Sequence, residues 1–329
     1  MRQQHEQVAV LAQARGGIWG EASRRLVKNR LALAGVFIVL LLAFTALLAP
    51  LIAPRHYAEG NLLDNYARPG SRYLLGADFM GRDMLSRIIY GTRVSLTVGI
   101  VGATMATLMG TVYGSISGFY GGRLDNLMMR FVDLMYSVPT LLVIILIMVY
   151  FRSTSLTGQE TNAVIRTLGA VDDSVGGMLF IFIGIAVTSW MTMARLVRGI
   201  FLSLKEKEFT EAARATGATD RQIIIRHLLP NAIGPVIVAE TLNIPTYILY
   251  EAFLSFIGLG VNPPTPSWGG MISEGIQGLR SFPHLTFVPA AALSVTLLAF
   301  NFLGDGIRDA LDPRLRGQGS PSRPGPARG

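Results

Sequence analysis

The sequence has no cysteine, which excludes disulfides, thiolate metal sites and a cysteine nucleophile. Charge is scarce: 15% of the 329 residues are Asp, Glu, Lys or Arg, against about 25% in an ordinary soluble domain. Too few charged side chains remain to cover a globular surface, while half of the residues are hydrophobic and the mean hydropathy is +0.44. Histidine is rare as well: the four at positions 5, 56, 227 and 284 give no ligand pair and no HExxH motif, and 114–118 has its serines out of place for GxSxG. No Walker sequence occurs. Gly76 and Gly81 have the spacing of a phosphate loop, but Arg82 and Asp83 follow instead of Lys and Ser or Thr. No period of 20–50 residues repeats, which excludes a solenoid. The net charge of +8 does not point to nucleic acid, because the basic residues flank apolar runs and no nucleic-acid-binding motif is present. No catalytic residue and no metal site is expected.

What is present is a set of six apolar stretches, near 31–53, 94–118, 131–151, 178–197, 232–257 and 287–303. Each is long enough to cross a hydrocarbon core of about 30 Å as a helix. In lipid every backbone amide needs an internal partner, so an all-α integral membrane protein is expected; no alternating ten-residue pattern suggests a barrel. The long basic flank before the first stretch (Arg2, Arg15, Arg24, Arg25, Lys28 and Arg30) predicts an uncleaved anchor rather than a signal peptide. Twenty of the 29 Lys and Arg residues fall in 1–30, 118–130, 195–230 and 304–329, which predicts that both termini are cytoplasmic. The organisation expected is a cytoplasmic arm over 1–30, a six-helix domain over 31–304 and a partly disordered, Pro- and Gly-rich cytoplasmic tail over 305–329.

Three segments between the spans carry the remaining pattern. Residues 54–92 and 152–177 are outer loops; in the second, Val164, Ile165, Leu168 and Val171 have helical spacing and predict a short helix. Residues 199–230 form the long cytoplasmic loop. There Ser203 and Glu206 have the spacing of a capping box, Gly217 suits the C-terminal cap of the short helix that follows, and Thr219 with Gln222 forms a second box opening a helix that runs to Pro230. Ala212, Ala213 and Ala215 keep one face small enough for a partner's groove.

This loop resembles the EAA loop of ABC importer permeases. Glu211, Ala212 and Ala213, then Gly217, then Leu229 and Pro230 stand in the matching places; His227 replaces an apolar residue, as in the peptide and nickel branch. A second stretch, YLLGADFMGRDMLSRIIYGTRVSLTVG, resembles the second permease of dipeptide and oligopeptide importers. Gly76, Asp78, Gly81, Arg82, Asp83, Ser86, Arg87, Gly91, Arg93 and Ser95 match. Two further stretches agree: GGRLDNLMMRFVDLMYSVPTLL, with Asp125, Arg130 and Pro139, and SFIGLGVNPPTPSWGGMI, with Pro263, Pro264, Pro266 and an interfacial Trp268. The resemblance covers roughly 25–316. It implies a type I ABC importer permease (MetI-like) fold in the inner cell membrane. It also implies a coupling helix that docks on a cytoplasmic ATPase, with Ser203, Glu206, Phe209, Glu211, Ala212, Ala213, Gly217, Leu229 and Pro230 carrying the contact. The partners it implies are a second, non-identical permease, two ATP-binding-cassette subunits, an extracytoplasmic solute-binding protein and membrane lipid. The chain itself binds no cofactor; ATP and Mg belong to the ATPases.

The charges leave two readings open. Asp78, Arg82, Asp83 and Arg87 can pair locally as a staple over the pore mouth, or touch delivered solute. Glu240 and Glu251, on nearly the same helical face with Asn243 between them and a kink at Pro245, either line a translocation path or are satisfied by neighbouring helices. Asp133 is expected to pair with Arg130 or a helix terminus. The solute implied is a di- or oligopeptide, with nickel or glutathione as the alternative. An ion-coupled secondary transporter would need related halves, and none is seen.

Overall fold

The computed structural model describes residues 18–157 and 163–311. The arm before residue 18, the centre of the segment 152–177 and the tail after residue 311 lie outside the described residues. Among those described, the regular structure is helical apart from two isolated antiparallel bridges, Gly60 with Arg82 and Ala77 with Asp83. Helix α1 (Ile18–Lys28) leads into α2 (Arg30–Leu47), which starts where the Asn29 side chain accepts the amides of Leu31 at 3.1 Å and Ala32 at 3.2 Å. Beyond that cap α2 is apolar all round, with Phe37, Leu40, Phe44 and Leu47 exposed, as suits a helix solvated by lipid. The short α3 (Ala49–Ile52) and a 3₁₀ turn (Leu62–Asp64) follow.

Helix α4 (Met84–Tyr120) has 37 residues, about 55 Å at 1.5 Å per residue, so it outruns the hydrocarbon core. The expected outer loop 54–92 is therefore loop only as far as its Asp83 cap. Gly121 and Gly122, at φ +65° and +61°, turn the chain into α5 (Gly122–Tyr136). The expected third span, 131–151, is divided. Pro139 cannot donate a helix bond and disfavours α geometry before it, so α5 stops and α6 (Thr140–Thr157) starts afresh, bent by 74°. Helix α7 (Ala163–Ser174) supplies the predicted helix of the second outer segment, with Leu168 packed on the core. Helices α8 (Leu179–Leu204) and α9 (Glu208–Ala215) come next.

The stretch Asp220–Phe256 runs on as one long apolar helix. Its parts are α10 (Asp220–Gln222), a π segment (Ile223–Leu228) and α11 (Leu229–Phe256). The predicted stop at Pro230 does not occur. The Leu229 amide reaches back five residues to the Ile224 carbonyl, and this wider turn makes room for a proline that has no N–H to give. Helices α12 (Trp268–Ile276) and α13 (His284–Leu311) complete the order. Among the described residues, five helices are apolar and long enough to cross a membrane alone, and the bent α5–α6 pair makes up to six.

The central packing is α4 against α8, along a seam of glycines. A Cβ on Gly110 would lie 2.5 Å from Met193 Cβ, on Gly114 2.4 Å from the Ala194 carbonyl oxygen, and on Gly118 2.7 Å from the Arg198 carbonyl oxygen. Small residues four apart let two backbones meet in lipid, where burial of apolar surface gives no net gain. Around this seam Val98 and Ala106, Ile144 and Met148, Phe180 and Ile185, and Tyr247 and Leu254 join α4, α6, α8 and α11.

A partly buried ion pair fastens α5 across the end of this bundle. Asp125 accepts from Arg198 Nε at 2.5 Å, from Arg198 Nη2 at 2.6 Å, and from the Ser117 hydroxyl at 2.5 Å. Asp125→Ala strips a half-buried guanidinium of a two-pronged partner, an effect of about 3 kcal/mol. A fall of several degrees in the melting temperature of the solubilised protein is the expected result; Asp125→Glu restores part of it.

Candidate functional site

At one end of the bundle, α9 forms a knob between α8 and the long helix. Its attachment is built from the sequence upward. The Thr210 hydroxyl donates to the Leu204 carbonyl at 3.0 Å, tying the first turn to the end of α8. Ala213 is buried beneath it with Ile223 and Leu228, against Phe119, Val197 and Phe201. The Arg214 guanidinium lies 5.9 Å above the Phe119 ring, on the last turns of α4. The knob thus rests on α4, α8 and the start of the long helix together.

The cap chemistry is half as expected. Gly217, at φ +83°, closes α9: its amide bonds Arg214 O at 2.9 Å and the Ala218 amide bonds Ala213 O at 3.0 Å, the paired bonds of a left-handed C-terminal cap. The Thr219–Gln222 box forms, with Thr219 N to Gln222 Oε1 at 2.9 Å and Gln222 N to Thr219 Oγ1 at 3.4 Å. The Ser203–Glu206 box does not. Ser203 is still inside α8, which runs through Leu204, and α9 starts after Lys207 without a side-chain cap. Glu208 and Glu211 in the first turn of α9 favour its positive end instead. The free face presents Glu208, Phe209, Glu211, Ala212 and Ala215, with Phe209 39% exposed. Leu229 packs half-buried on the cluster beneath the knob, while Pro230 is exposed at the start of α11.

At the opposite end sits a buried charge cluster. Asp78 Oδ2 accepts from Arg82 Nε at 2.6 Å and pairs with Arg87 Nη1, and its Oδ1 accepts the amides of Met80 at 2.8 Å and Arg82 at 2.9 Å. Glu274 of α12 completes it, with Oε2 2.6 Å from Arg87 Nη1 and Oε1 3.2 Å from Arg87 Nη2. Glu274 was not among the residues singled out in the sequence; it stands 187 positions from Arg87, and no spacing announces the pair. Asp83 does not join the ion pairs. Its carboxylate caps α4 by accepting from the Ser86 amide at 2.8 Å and hydroxyl at 2.6 Å. Gly81 is held at φ +70° with the Asn61 carbonyl where a Cβ would stand, and Gly76 takes φ +82° beside His284. Trp268, expected at the bilayer interface, is fully buried: its indole covers Gly91 and donates to Ile88 O at 3.2 Å.

The intramembrane acids are enclosed by this chain's own helices. Glu251 is 0% exposed and accepts from Ser255 at 2.7 Å and from Ser95 of α4 at 3.3 Å, so it faces no open path here. Glu240 is buried and accepts from the Tyr247 hydroxyl at 2.8 Å, one helix face along, while Asn243 is half-buried. A buried carboxylate without such donors is costly; hydroxyls meet both oxygens of Glu251 but only one of Glu240, whose Oε2 has no hydrogen-bond partner among the described residues. Asp133 pairs with Arg195 of α8 at 2.5 Å rather than with Arg130 or a helix end. The sequence did not expose that partner because it lies on a different helix.

Comparison with known proteins agrees with this geometry. Residues 110–317 match the family described as the binding-protein-dependent transport system inner membrane component, and 17–69 match the N-terminal TM domain of oligopeptide transport permease C. The chain is 39% identical to the oligopeptide transport system permease protein OppC of Bacillus subtilis, over 91% of this chain and 90% of that protein. It is 37% identical to the glutathione transport system permease protein GsiD of Pectobacterium atrosepticum, over 91% of this chain and 92% of that one. An inward-facing structure of the MetNI methionine ABC transporter matches with a TM-score of 0.52 at 19% identity, covering 70% of this chain and 98% of that one, and so shares the fold. This multi-pass membrane chain belongs to the family of inner-membrane permeases of binding-protein-dependent transport systems.

Proposed function

We propose that the chain is one of two non-identical permease subunits of an ATP-driven importer of di- or oligopeptides. The knob end, with both termini, lies in the cytoplasm. α9 docks in a cleft of a partner ATPase through Phe209, Glu211 and Ala212, while Ala213, Gly217 and Leu229 hold the knob in shape. The observation that carries this reading is the seating of α9 on α4, α8 and the long helix at once: Ala213 shares a buried cluster with Phe119, Phe201 and Ile223, and the Arg214 guanidinium lies 5.9 Å above the Phe119 ring. A push on such a knob is shared by three spans, because close-packed interiors transmit displacement rather than absorb it. ATP and Mg bind the partner ATPases, and a solute-binding protein delivers peptide at the other face. The resemblance to OppC supports peptide as the solute, and that to GsiD supports glutathione, itself a peptide, as the alternative. Nickel is the remaining alternative.

The test is uptake of a labelled peptide into vesicles holding the complete complex. ATP inside and binding protein outside should both be required. Uptake by this chain without an ATPase would refute the proposal.

A further inference from the structure

Three members of this cluster, Arg82, Arg87 and Glu274, border an open cleft of about 220 Å³, with Asp78 behind them. Its other walls are the 258–267 loop, the face of α12 bearing Gly270 and Ser273, and Gln277 just past the end of that helix. The loop is stiffened by Pro263 and Pro264 and held from outside by the turn after α7, where the Asn262 amide bonds Gly176 O at 2.9 Å. The volume is below the roughly 300–1,000 Å³ of a drug-sized site and suits one or two amino-acid residues.

The members of the cluster are not equivalent. The side chains of Arg82, Arg87 and Asp78 are 6%, 3% and 4% exposed, whereas that of Glu274 is 32% exposed. Without Glu274, two buried guanidiniums would face one carboxylate, leaving a positive charge unmatched at the cleft wall. Glu274 balances it by gripping Arg87 with both oxygens, the two-pronged geometry by which arginine recognises any carboxylate. Its contact to Arg82 is looser, at 3.4 Å. Replacing this carboxylate by another keeps Arg87 paired, and the displaced Glu274, already 32% exposed, lies at the open cleft where water can reach it, so no buried charge is left without a partner. The hydroxyls of Thr265 and Ser273 and the amide of Gln277 stand nearby to meet a peptide's amide groups, while the Ser267 hydroxyl is taken up by the Gly270 amide.

We propose that this cleft is a carboxylate-binding site for the C-terminus of a short peptide, and that Glu274 holds the carboxylate's place on Arg87 until the peptide arrives. The inference rests on the importer reading above and adds a solute contact to it.

The test uses the assembled complex in detergent, without binding protein, and titrates dialanine and dialanine amide against Glu274→Gln. Removing the tethered competitor should tighten dialanine binding about tenfold and leave the amide unchanged. Arg87→Lys in that background should remove the difference. Should Arg87→Lys fail to assemble, competition replaces it: acetate must displace dialanine from the Glu274→Gln complex, and chloride at equal ionic strength must not. Equal binding of acid and amide, or an acid preference seen only when binding protein is added, overturns the site. ATP-driven uptake by the unaltered complex, measured alongside, is independent of this outcome, so failure of the cleft leaves the importer reading standing and failure of uptake is recognised separately.

Discussion

Ala212→Arg should reduce ATP-driven uptake at least 100-fold while the chain still inserts, folds and pairs with the other permease. Ala212 lies on the exposed face of α9, so a larger side chain there displaces nothing inside this chain. Arginine is nearly as good a helix former as alanine, which keeps α9 intact, and exposed substitutions usually change stability by within about 0.5 kcal/mol. On the proposed docking, the damage falls on the partner's groove, which would have to accommodate a long charged side chain in place of a methyl group. Two readouts separate the effects: the melting temperature of the purified chain should be unchanged, and peptide-stimulated ATP hydrolysis by the complex should be lost. Normal transport by this variant would show that the groove lies elsewhere. The neighbouring Ala213→Arg gives the contrast. That site is 8% exposed and packed with Ile223 and Leu228, so the variant should fail by losing the fold of the knob itself.

The second large effect is expected in the middle of the bundle. Gly114→Leu should abolish recovery of folded protein. Even a Cβ at this site would stand 2.4 Å from the Ala194 carbonyl oxygen and 2.9 Å from Val197 Cβ. These are backbone and helix-face atoms, so relief requires α4 and α8 to separate along the most extensive helix contact among the described residues. Overpacking of this kind costs about 1–3 kcal/mol for small additions, and a leucine exceeds that. Gly114→Ala should give an intermediate loss. Gly234→Ala is the control, since nothing lies within 4 Å of a Cβ there, and it should be neutral or slightly stabilising. Size-exclusion profiles and melting curves in one detergent rank the three. A well-folded Gly114→Leu chain would show that the seam is looser than its distances indicate.

The two ends of the molecule were legible to different degrees. In the knob, Gly217 and the Thr219–Gln222 box were readable because caps are local: the donors, acceptors and backbone angles belong to residues three or four apart. Ser203–Glu206 had the same spacing and failed, because α8 extends further than its apolar run and absorbs Ser203 before a cap is needed. The glycine seam at 110, 114 and 118 stood in the sequence as a four-residue repeat of the smallest side chain. It went unread beside the stronger hydropathy signal. Glu274 and Arg195 carried no local signal at all, and each became meaningful only as the partner of a charge on another helix.

By itself, then, the sequence determined that this chain is a helical membrane protein, roughly where its apolar stretches lie, and the cap at Gly217 and the Thr219–Gln222 box. All of these depend on hydrophobicity and on bonds between near neighbours along the chain. The tertiary structure alone decided which charges meet, that the long helix runs through Pro230 on a π turn, and that a cleft opens beside Arg87. Those outcomes depend on how helices distant in sequence approach each other, and close approach is governed by packing geometry that no short spacing records.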